Sequence, residues 1–317
     1  MKRRHIHWAA IIITLVCVLA LSWPHSTSSI RHFGGPLALV SQPDMAVVMF
    51  AGDVMLDRSL RSVARERGGD FLFECMDSTL RTADAVVANL EGPITDNVSR
   101  SEGSAPGSSD NFVFTFPPTT AQLLKDHYIT AVSLGNNHIE NFGSEGVQST
   151  ISYLNEARVG YFGDPLHDTV ATLTSHGIVI ELIGYNEFDN KAGSASTTLS
   201  QIRGARARGH LPVVFTHWGI EYEPTAPQYI RELAHQFADA GAAMVIGSHP
   251  HVVEDHETYN GVPIYYSLGN FIFDQYFSDA VTHGLLLKVT FDSMGAQTIE
   301  EIPVVLDRSR QTCPVQF

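Results

Sequence analysis

Five short apolar runs in this chain each end in a cluster of Asp, Glu, Asn or His. Met45-Ala-Val-Val-Met-Phe50 leads into Gly52-Asp53, and Ala85-Val-Val-Ala88 leads into Asn89-Leu90-Glu91. Ile129-Thr-Ala-Val-Ser-Leu134 leads into Gly135-Asn136-Asn137-His138, and Leu211-Pro-Val-Val-Phe-Thr216 into His217-Trp218-Gly219. Ala242-Ala-Met-Val-Ile246 leads into Gly247-Ser248, which are expected to end the strand, and then into His249-Pro250-His251. Runs of this length and composition read as buried strands. In an open α/β sheet the ligand crevice lies beyond the carboxyl ends of the strands, so clusters at five such ends can converge on one place. Each cluster alone reads as an ordinary turn, a helix cap for Asp53 or a satisfied core histidine for His217. Five turns of the same chemical kind are much harder to explain separately. Glu91 weighs most, because a carboxylate directly after a buried strand needs a partner.

Between the strands lie helical patterns at 60–67, 121–127, 146–157 and 227–240, the last with Tyr229, Leu233, Phe237 and Ala240 on one stripe. The end of the chain changes character. Segments 263–267, 285–291 and 299–306 read as consecutive strands, with a turn at Asp292-Ser-Met-Gly295. Alternation followed by a strand-only tail indicates a layered α/β domain, here placed over residues 44–317. With 317 residues, 44% of them hydrophobic, the chain can bury a large core. The Ser/Gly-rich stretch 99–110 reads as an exposed loop inside the domain.

The N-terminus is of another kind. Lys2-Arg3-Arg4 precedes apolar sequence from Trp8 to Trp23, the layout of a signal peptide or signal anchor over residues 1–25, followed by a linker over 26–43. An uncleaved single-pass anchor with the rest of the chain outside the cell is the expectation, and cleavage with secretion is the alternative. Of three cysteines, Cys17 falls in that segment, which leaves Cys75 and Cys313 either to pair or to stay free. A formal net charge of −14 argues against a nucleic-acid partner.

Pro250 restricts its own φ and biases His249 toward extended geometry, so the two imidazoles can address one centre. Together the strand ends offer carboxylate, amide and imidazole donors: Asp53, Glu91, Asn137, His217, His249 and His251. That mixture suits a borderline divalent ion such as Mn, Fe, Zn or Ni. Six donors are enough for one or two ions, with Glu91 as a bridge. His138, beside Asn137, is placed to protonate a leaving group. Arg58 and the Glu221-Tyr222 pair are the expected substrate contacts, since a guanidinium grips carboxylate or phosphate with two parallel bonds.

Gly52-Asp-Val-Met-Leu-Asp-Arg58, Asn89-Leu-Glu-Gly-Pro93, Gly135-Asn-Asn-His138, His217-Trp-Gly-Ile-Glu-Tyr222, Gly247-Ser-His-Pro-His-Val252 and Ser267-Leu-Gly-Asn-Phe-Ile-Phe273 together resemble the CapA family. This is the capsule, or poly-γ-glutamate, synthesis family within the calcineurin-like metallophosphoesterase superfamily. The resemblance implies a metallophosphoesterase-like four-layer αββα sandwich, a membrane-anchored domain outside the cell, and work beside a polymer synthase and exporter. It maps Asp53, Glu91, Asn137, His217, His249 and His251 to metal positions and His138 to the acid. Two positions depart from the superfamily pattern. Met55 stands where a histidine ligand is usual, and the Asn89-x-Glu91 pair replaces a bridging aspartate, so one ion is short of a ligand unless Asp57 or Asn89 serves. Three activities remain open at this stage: a metal-dependent hydrolase or transferase on an anionic polymer, a non-catalytic subunit of an export complex, and a phosphoesterase for small substrates. Asn270 is expected to tie the second sheet to the site.

Overall fold

The strand-like runs assemble into two stacked mixed sheets in the computed structural model, which describes residues 44–315 apart from Thr169 and 190–193. The first sheet carries Ala46–Val54 (β1), Ala85–Leu90 (β2), Ala131–Ser133 (β3), Gly160–Phe162 (β4), Asn270–Ile272 (β11), His283–Asp292 (β12), Gly295–Leu306 (β13) and Thr312–Pro314 (β14). The second carries Ala171–Ser175 (β5), Ile178–Asn186 (β6), Leu211–His217 (β7), Met244–Ser248 (β8), His256–Tyr259 (β9) and Val262–Tyr265 (β10). Their orders are β14-β13-β12-β1-β2-β3-β4, with β11 against the end of β1, and β5-β6-β7-β8-β10-β9. β1 to β4 run parallel, as do β6, β7, β8 and β10, while the tail strands β12 to β14 add antiparallel. Among the described residues six α-helices connect them: Arg58–Arg67 (α1), Asp77–Leu80 (α2), Thr120–Asp126 (α3), Gly143–Ala157 (α4), Ser194–Ala207 (α5) and Gln228–Asp239 (α6).

Strand side chains alternate between faces, and the alternation here builds three apolar layers. Val48 and Phe50 of β1, with Val87 and Leu287, pack against Leu182, Val213, Phe215 and Ile246 of the second sheet. Met49, Ala51, Val86 and Val132 point the other way, onto Leu60, Leu124, Val147 and Leu154 of the first helical layer. Ile183, Val214 and Val245 cover Ile202, Ile230 and Phe237 of α5 and α6. The order is helices, sheet, sheet, helices. Central strands buried on both faces read as unbroken apolar runs, which is why β1, β2, β7 and β8 were legible in the sequence.

Two local expectations need correction, and one helix had no signal. The buried stripe of α6 is Ile230, Ala234, Phe237 and Ala238, and Tyr229 is 49% exposed. The stripe is turned about one residue because Ile230 and Ala234 are the positions facing Val214 and Val245. β8 does not end before Gly247 but runs through it to Ser248. A Cβ on Gly247 would lie 1.8 Å from the Tyr266 carbonyl oxygen and 2.6 Å from Trp218 Nε1, so this glycine admits a close crossing inside the strand. α5 gave no periodic signal, since its buried positions Thr198, Ile202 and Ala205 include one strongly apolar side chain.

Cys75 and Cys313 form a disulfide with Cα atoms 5.2 Å apart, tying edge strand β14 to the segment before α2. The expected signal segment and linker lie outside the described residues. Among the described residues no helix is long and apolar enough to cross a membrane.

Candidate metal centre

Parallel register brings the polar strand ends into rows. Asp53 lies opposite Asn89 on one side and Asn270 on the other, and Asn89 lies opposite Ser133. In the second sheet His217 lies opposite Asn186 and Ser248. β1 can carry Asp53 past the neighbouring chain because position 52 is glycine; a Cβ there would sit 1.9 Å from the Gly269 carbonyl oxygen. Both histidines around Pro250 have positive φ, 100° at His249 and 60° at His251, so His249 is not in the extended geometry expected of a residue before proline. Such backbone costs about 1–3 kcal/mol per residue and persists where surrounding structure imposes it, typically at functional sites.

The six sequence-derived donors converge as two adjoining groups. Asp53, Glu91 and His251, all buried, offer ligand atoms within 4.8 Å of one another. His251 Nδ1 is 3.3 Å from Asp53 Oδ2 and His251 Nε2 is 3.6 Å from Glu91 Oε1. In the second group His217 Nε2 lies 2.9 Å from Asn137 Oδ1 and 3.2 Å from His249 Nδ1. The backbone N–H of His249 donates to Asp53 Oδ2 at 3.3 Å and joins the two groups.

Asn89 stands between them. Its side-chain nitrogen is 2.8 Å from Asp53 Oδ1, 3.5 Å from Glu91 Oε2 and 3.3 Å from His217 Nδ1. Asn136, a residue the motif reading passed over, sets that orientation by donating to Asn89 Oδ1 at 3.1 Å and to the Leu90 carbonyl at 2.9 Å. Ser248 Oγ lies 3.0 Å from His217 Nδ1 and donates its own hydrogen to the Thr216 carbonyl, so it accepts from Nδ1–H and leaves Nε2 free as a ligand. Asn270 does the same for His251, with Oδ1 at 3.0 Å from Nδ1. It also links the sheets, because the chain leaves the second sheet at β10 and enters the first at β11. A repeated Asn beside a ligand was the available signal for Asn136; Ser248 had none.

Asp57 and Met55 are not ligands. Asp57 is fully buried, pairs with Arg61 at 3.0 Å and accepts from the Thr115 N–H and the Ser99 hydroxyl. Met55 packs in the core with its sulfur 3.0 Å from the Asp57 N–H. Of the two substitutes considered for the missing histidine, only Asn89 is in the centre.

The electrostatics are compatible with a cation. Glu91 Oε1 is buried without a hydrogen-bond partner. Burial, then the Asp53 carboxylate, pushes the Glu91 carboxyl well above its usual range. Burial and the neighbouring imidazoles push His217 well down and His249 down to about 3, so both are neutral and ligand-competent at physiological pH. An orphaned carboxylate oxygen beside a second carboxylate and neutral imidazoles fits a divalent ion. His138 is buried against the Phe114 ring, and burial lowers it to about 4. Its Nδ1 lies 3.2 Å from Asn141 Oδ1, which leaves Nε2 facing Glu91 Oε1 at 3.8 Å.

Residues 47–275 match the family model described as bacterial capsule synthesis protein PGA_cap. The chain belongs to that family. Two relatives are similar to it over most of their length. PGA biosynthesis protein CapA of Bacillus subtilis (strain 168) is 28% identical over 283 residues, 84% of this chain and 72% of the relative. Capsule biosynthesis protein CapA of Bacillus anthracis is 27% identical over 296 residues, 86% of this chain and 70% of the relative. Among solved structures, a protein of Thermus thermophilus is similar at 12% identity and a TM-score of 0.43, covering 78% of this chain and 99% of its own, too distant to bear on function.

Of the three expected substrate contacts of this PGA_cap chain, Arg58 and Tyr222 line one cleft. Arg58 pairs with Asp274 at 2.6 Å and sits over the Phe114 and Phe273 rings, at 5.1 and 5.4 Å from their centroids. Tyr222 is half exposed, stacks on the His251 ring at 6.1 Å and accepts from Gln275 Nε2 at 3.2 Å. Glu221 is exposed and close enough to add to the rise at Glu91.

Proposed function

We propose that this protein is a divalent-metal-dependent hydrolase or transferase acting on poly-γ-glutamate or a related anionic polymer of the cell envelope. It would work outside the cell, held at the membrane by its N-terminal segment beside the polymer's synthase and exporter. Family membership and the names of the two Bacillus relatives support the polymer. The helix-sheet-sheet-helix order, with polar strand ends at one edge, supports a metallophosphoesterase-like fold. The Cys75–Cys313 pair supports an oxidising compartment, where disulfides persist. The observation that carries the catalytic reading is Glu91 Oε1, a buried carboxylate oxygen without a partner inside a six-donor centre.

Asp53, Glu91 and His251 would hold one ion, and Asn137, His217 and His249 a second. A bound divalent ion supplies positive charge against the oxyanion that develops at an attacked carbonyl, and lowers the pKa of water. The remaining work falls to side chains. His138, hydrogen-bonded through Nδ1 to Asn141, passes protons through Nε2. It takes the proton of the attacking water or amine and returns it to the departing nitrogen. Arg58 and Tyr222 hold the polymer, and Phe114 and Phe273 keep Arg58 in place.

The test pairs metal analysis with product analysis on γ-linked glutamate oligomers. The wild type is expected to bind Mn, Fe, Zn or Ni and to shorten or transfer the oligomers. His251→Ala should lose metal, and His138→Asn should keep metal while losing turnover. A wild type that takes up no divalent ion would sink the catalytic reading. Turnover of aryl phosphates without turnover of the oligomers would replace the polymer with a small phosphoester.

A further inference from the structure

Arg58 and Tyr222, the latter stacked on the His251 ring, also line a cleft of about 1040 Å3. One wall is the first turn of α1, with Arg58 and Ser59, and another is the Ser/Gly-rich loop that ends at Phe112. The third is the segment Asp274 to Phe277 after β11, and the fourth is the turn between β13 and β14, with Arg308 and Arg310. Three arginines face this space against a single acid, Asp274, in a chain with 20 basic and 34 acidic residues. Arg58 already pairs with Asp274 at 2.6 Å, so the uncompensated positive charge of the cleft belongs to Arg308 and Arg310. Among the described residues neither of these two forms an ion pair with a carboxylate.

The turn is built to hold them. Asp307 N–H donates to the Gln311 carbonyl and Arg310 N–H to the Asp307 carbonyl, both at 2.9 Å. Arg310 has φ 79°, and its guanidinium lies on the Tyr276 ring at 4.2 Å from the centroid. A stacked guanidinium is fixed in direction while its edge N–H groups stay available to a carboxylate. Three residues on, Cys313 pins the hairpin through its disulfide, and the Gln311 amide donates to Glu74 at 3.1 Å. Exposed Phe112 and Phe277 supply apolar faces along the same cleft.

We propose that Arg308 and Arg310 form a distal anion subsite, separate from the metal centre, that holds a second carboxylate-bearing stretch of an extended polycarboxylate whose nearer part lies at Arg58. This rests on the polymer reading above and deepens it. Phe112 and Phe277 pack on the methylene spacers of the chain. Anchoring at two places makes retention depend on length, because the second contact is intramolecular once the first has formed. An oligomer that spans both places is held tightly, and a γ-linked dimer reaches only one.

The test measures binding of γ-linked glutamate dimer and long oligomer to the full-length metal-loaded protein and to Arg308→Ala/Arg310→Ala, with Arg308→Lys/Arg310→Lys as a charge-preserving control. Metal content and melting temperature check that each variant is folded. The alanine pair should weaken the long oligomer by about tenfold or more and flatten its salt dependence, leaving dimer affinity in place. The lysine pair should recover part of the loss. Equal weakening of dimer and oligomer, or no weakening of either, overturns the subsite while leaving the polymer reading standing. A wild type that binds inorganic polyphosphate through these arginines but no γ-glutamate oligomer of any length overturns the polycarboxylate assignment, and with it the polymer reading.

Discussion

Replacing Glu91 with glutamine should stabilise the metal-free protein and destabilise the metal-loaded one. Glu91 has no solvent exposure, one oxygen without a partner, and the Asp53 carboxylate close by. A buried unsatisfied acceptor costs about 1–3 kcal/mol, and a neutral amide removes the carboxyl–carboxylate conflict. The pH dependence has a definite sign. The folded-state pKa lies above the ordinary 4.5, so wild-type stability is full below that value and falls as pH rises toward the raised pKa. The advantage of Glu91→Gln is therefore small at pH 4 and grows through neutrality. With metal at about a hundred times its dissociation constant, binding adds about 2.7 kcal/mol to the wild type. The variant, short one of three donors, gains much less. Thermal melts with and without Mn or Zn should show the two proteins exchange order, each by a few degrees. A variant less stable than the wild type in chelator would refute the cation-centred account of Glu91, as would a wild type whose melting ignores every divalent ion.

Glu254 offers a second test, away from the ligands. Both its oxygens are buried without partners, and burial, then Asp255, raises it to about 8, with Arg231 opposing. Raised above 4.5 on folding, it contributes stability that is complete below pH 4.5 and lost as pH climbs to about 8. The loss is about 5 kcal/mol for a fully shielded group and roughly half that after solvent screening. Urea melts of the wild type and Glu254→Gln across that range should therefore diverge, and parallel curves would count against the argument. The disulfide closes a loop with a sequence separation of 238, which in the chain-entropy model is worth about 5 kcal/mol, less any residual order in the unfolded chain. Cys75→Ser/Cys313→Ser should lower the denaturant midpoint without changing metal content.

The parts of this molecule that were legible in the sequence share a cause. β1, β2, β7 and β8 are buried on both faces, so burial wrote itself as uninterrupted Val, Ile, Met and Phe, and each polar end stood out against that background. Asp53, Glu91, Asn137, His217, His249 and His251 were all found that way. α5 is Ser/Thr-rich and was invisible because one isoleucine and small side chains suffice to cover its part of the sheet. β11 is three residues long, and its pairing with β1 depends on a chain crossing between sheets that no local pattern encodes. Arg308 and Arg310 gave no signal, since an arginine in a hairpin turn is ordinary until the cleft it faces is known. Ser248 acts through the orientation of His217, and orientation leaves no spacing in a sequence.

Met55 posed the sharpest question, and the answer lies in how the two histidines around Pro250 are divided. His251 turns to Asp53 and Glu91, and His249 turns to His217 and Asn137. One half of the centre is thus rich in carboxylate and the other is built of imidazole and amide. Hard, oxygen-preferring ions suit the first, and borderline ions suit the second. A histidine at position 55 would have added a fourth imidazole to the centre, beside His217, His249 and His251. Its place is taken by a thioether in the core, and Asn89 fills the space between the halves, donating to Asp53 Oδ1 at 2.8 Å. A donor there lowers the cost of two neighbouring carboxylates without any ion, so the carboxylate half can stand empty more readily than the imidazole half. Asn137, His217 and His249 would therefore hold an ion at lower metal than Asp53, Glu91 and His251, where an ion would have to displace the proton that burial and Asp53 favour on Glu91.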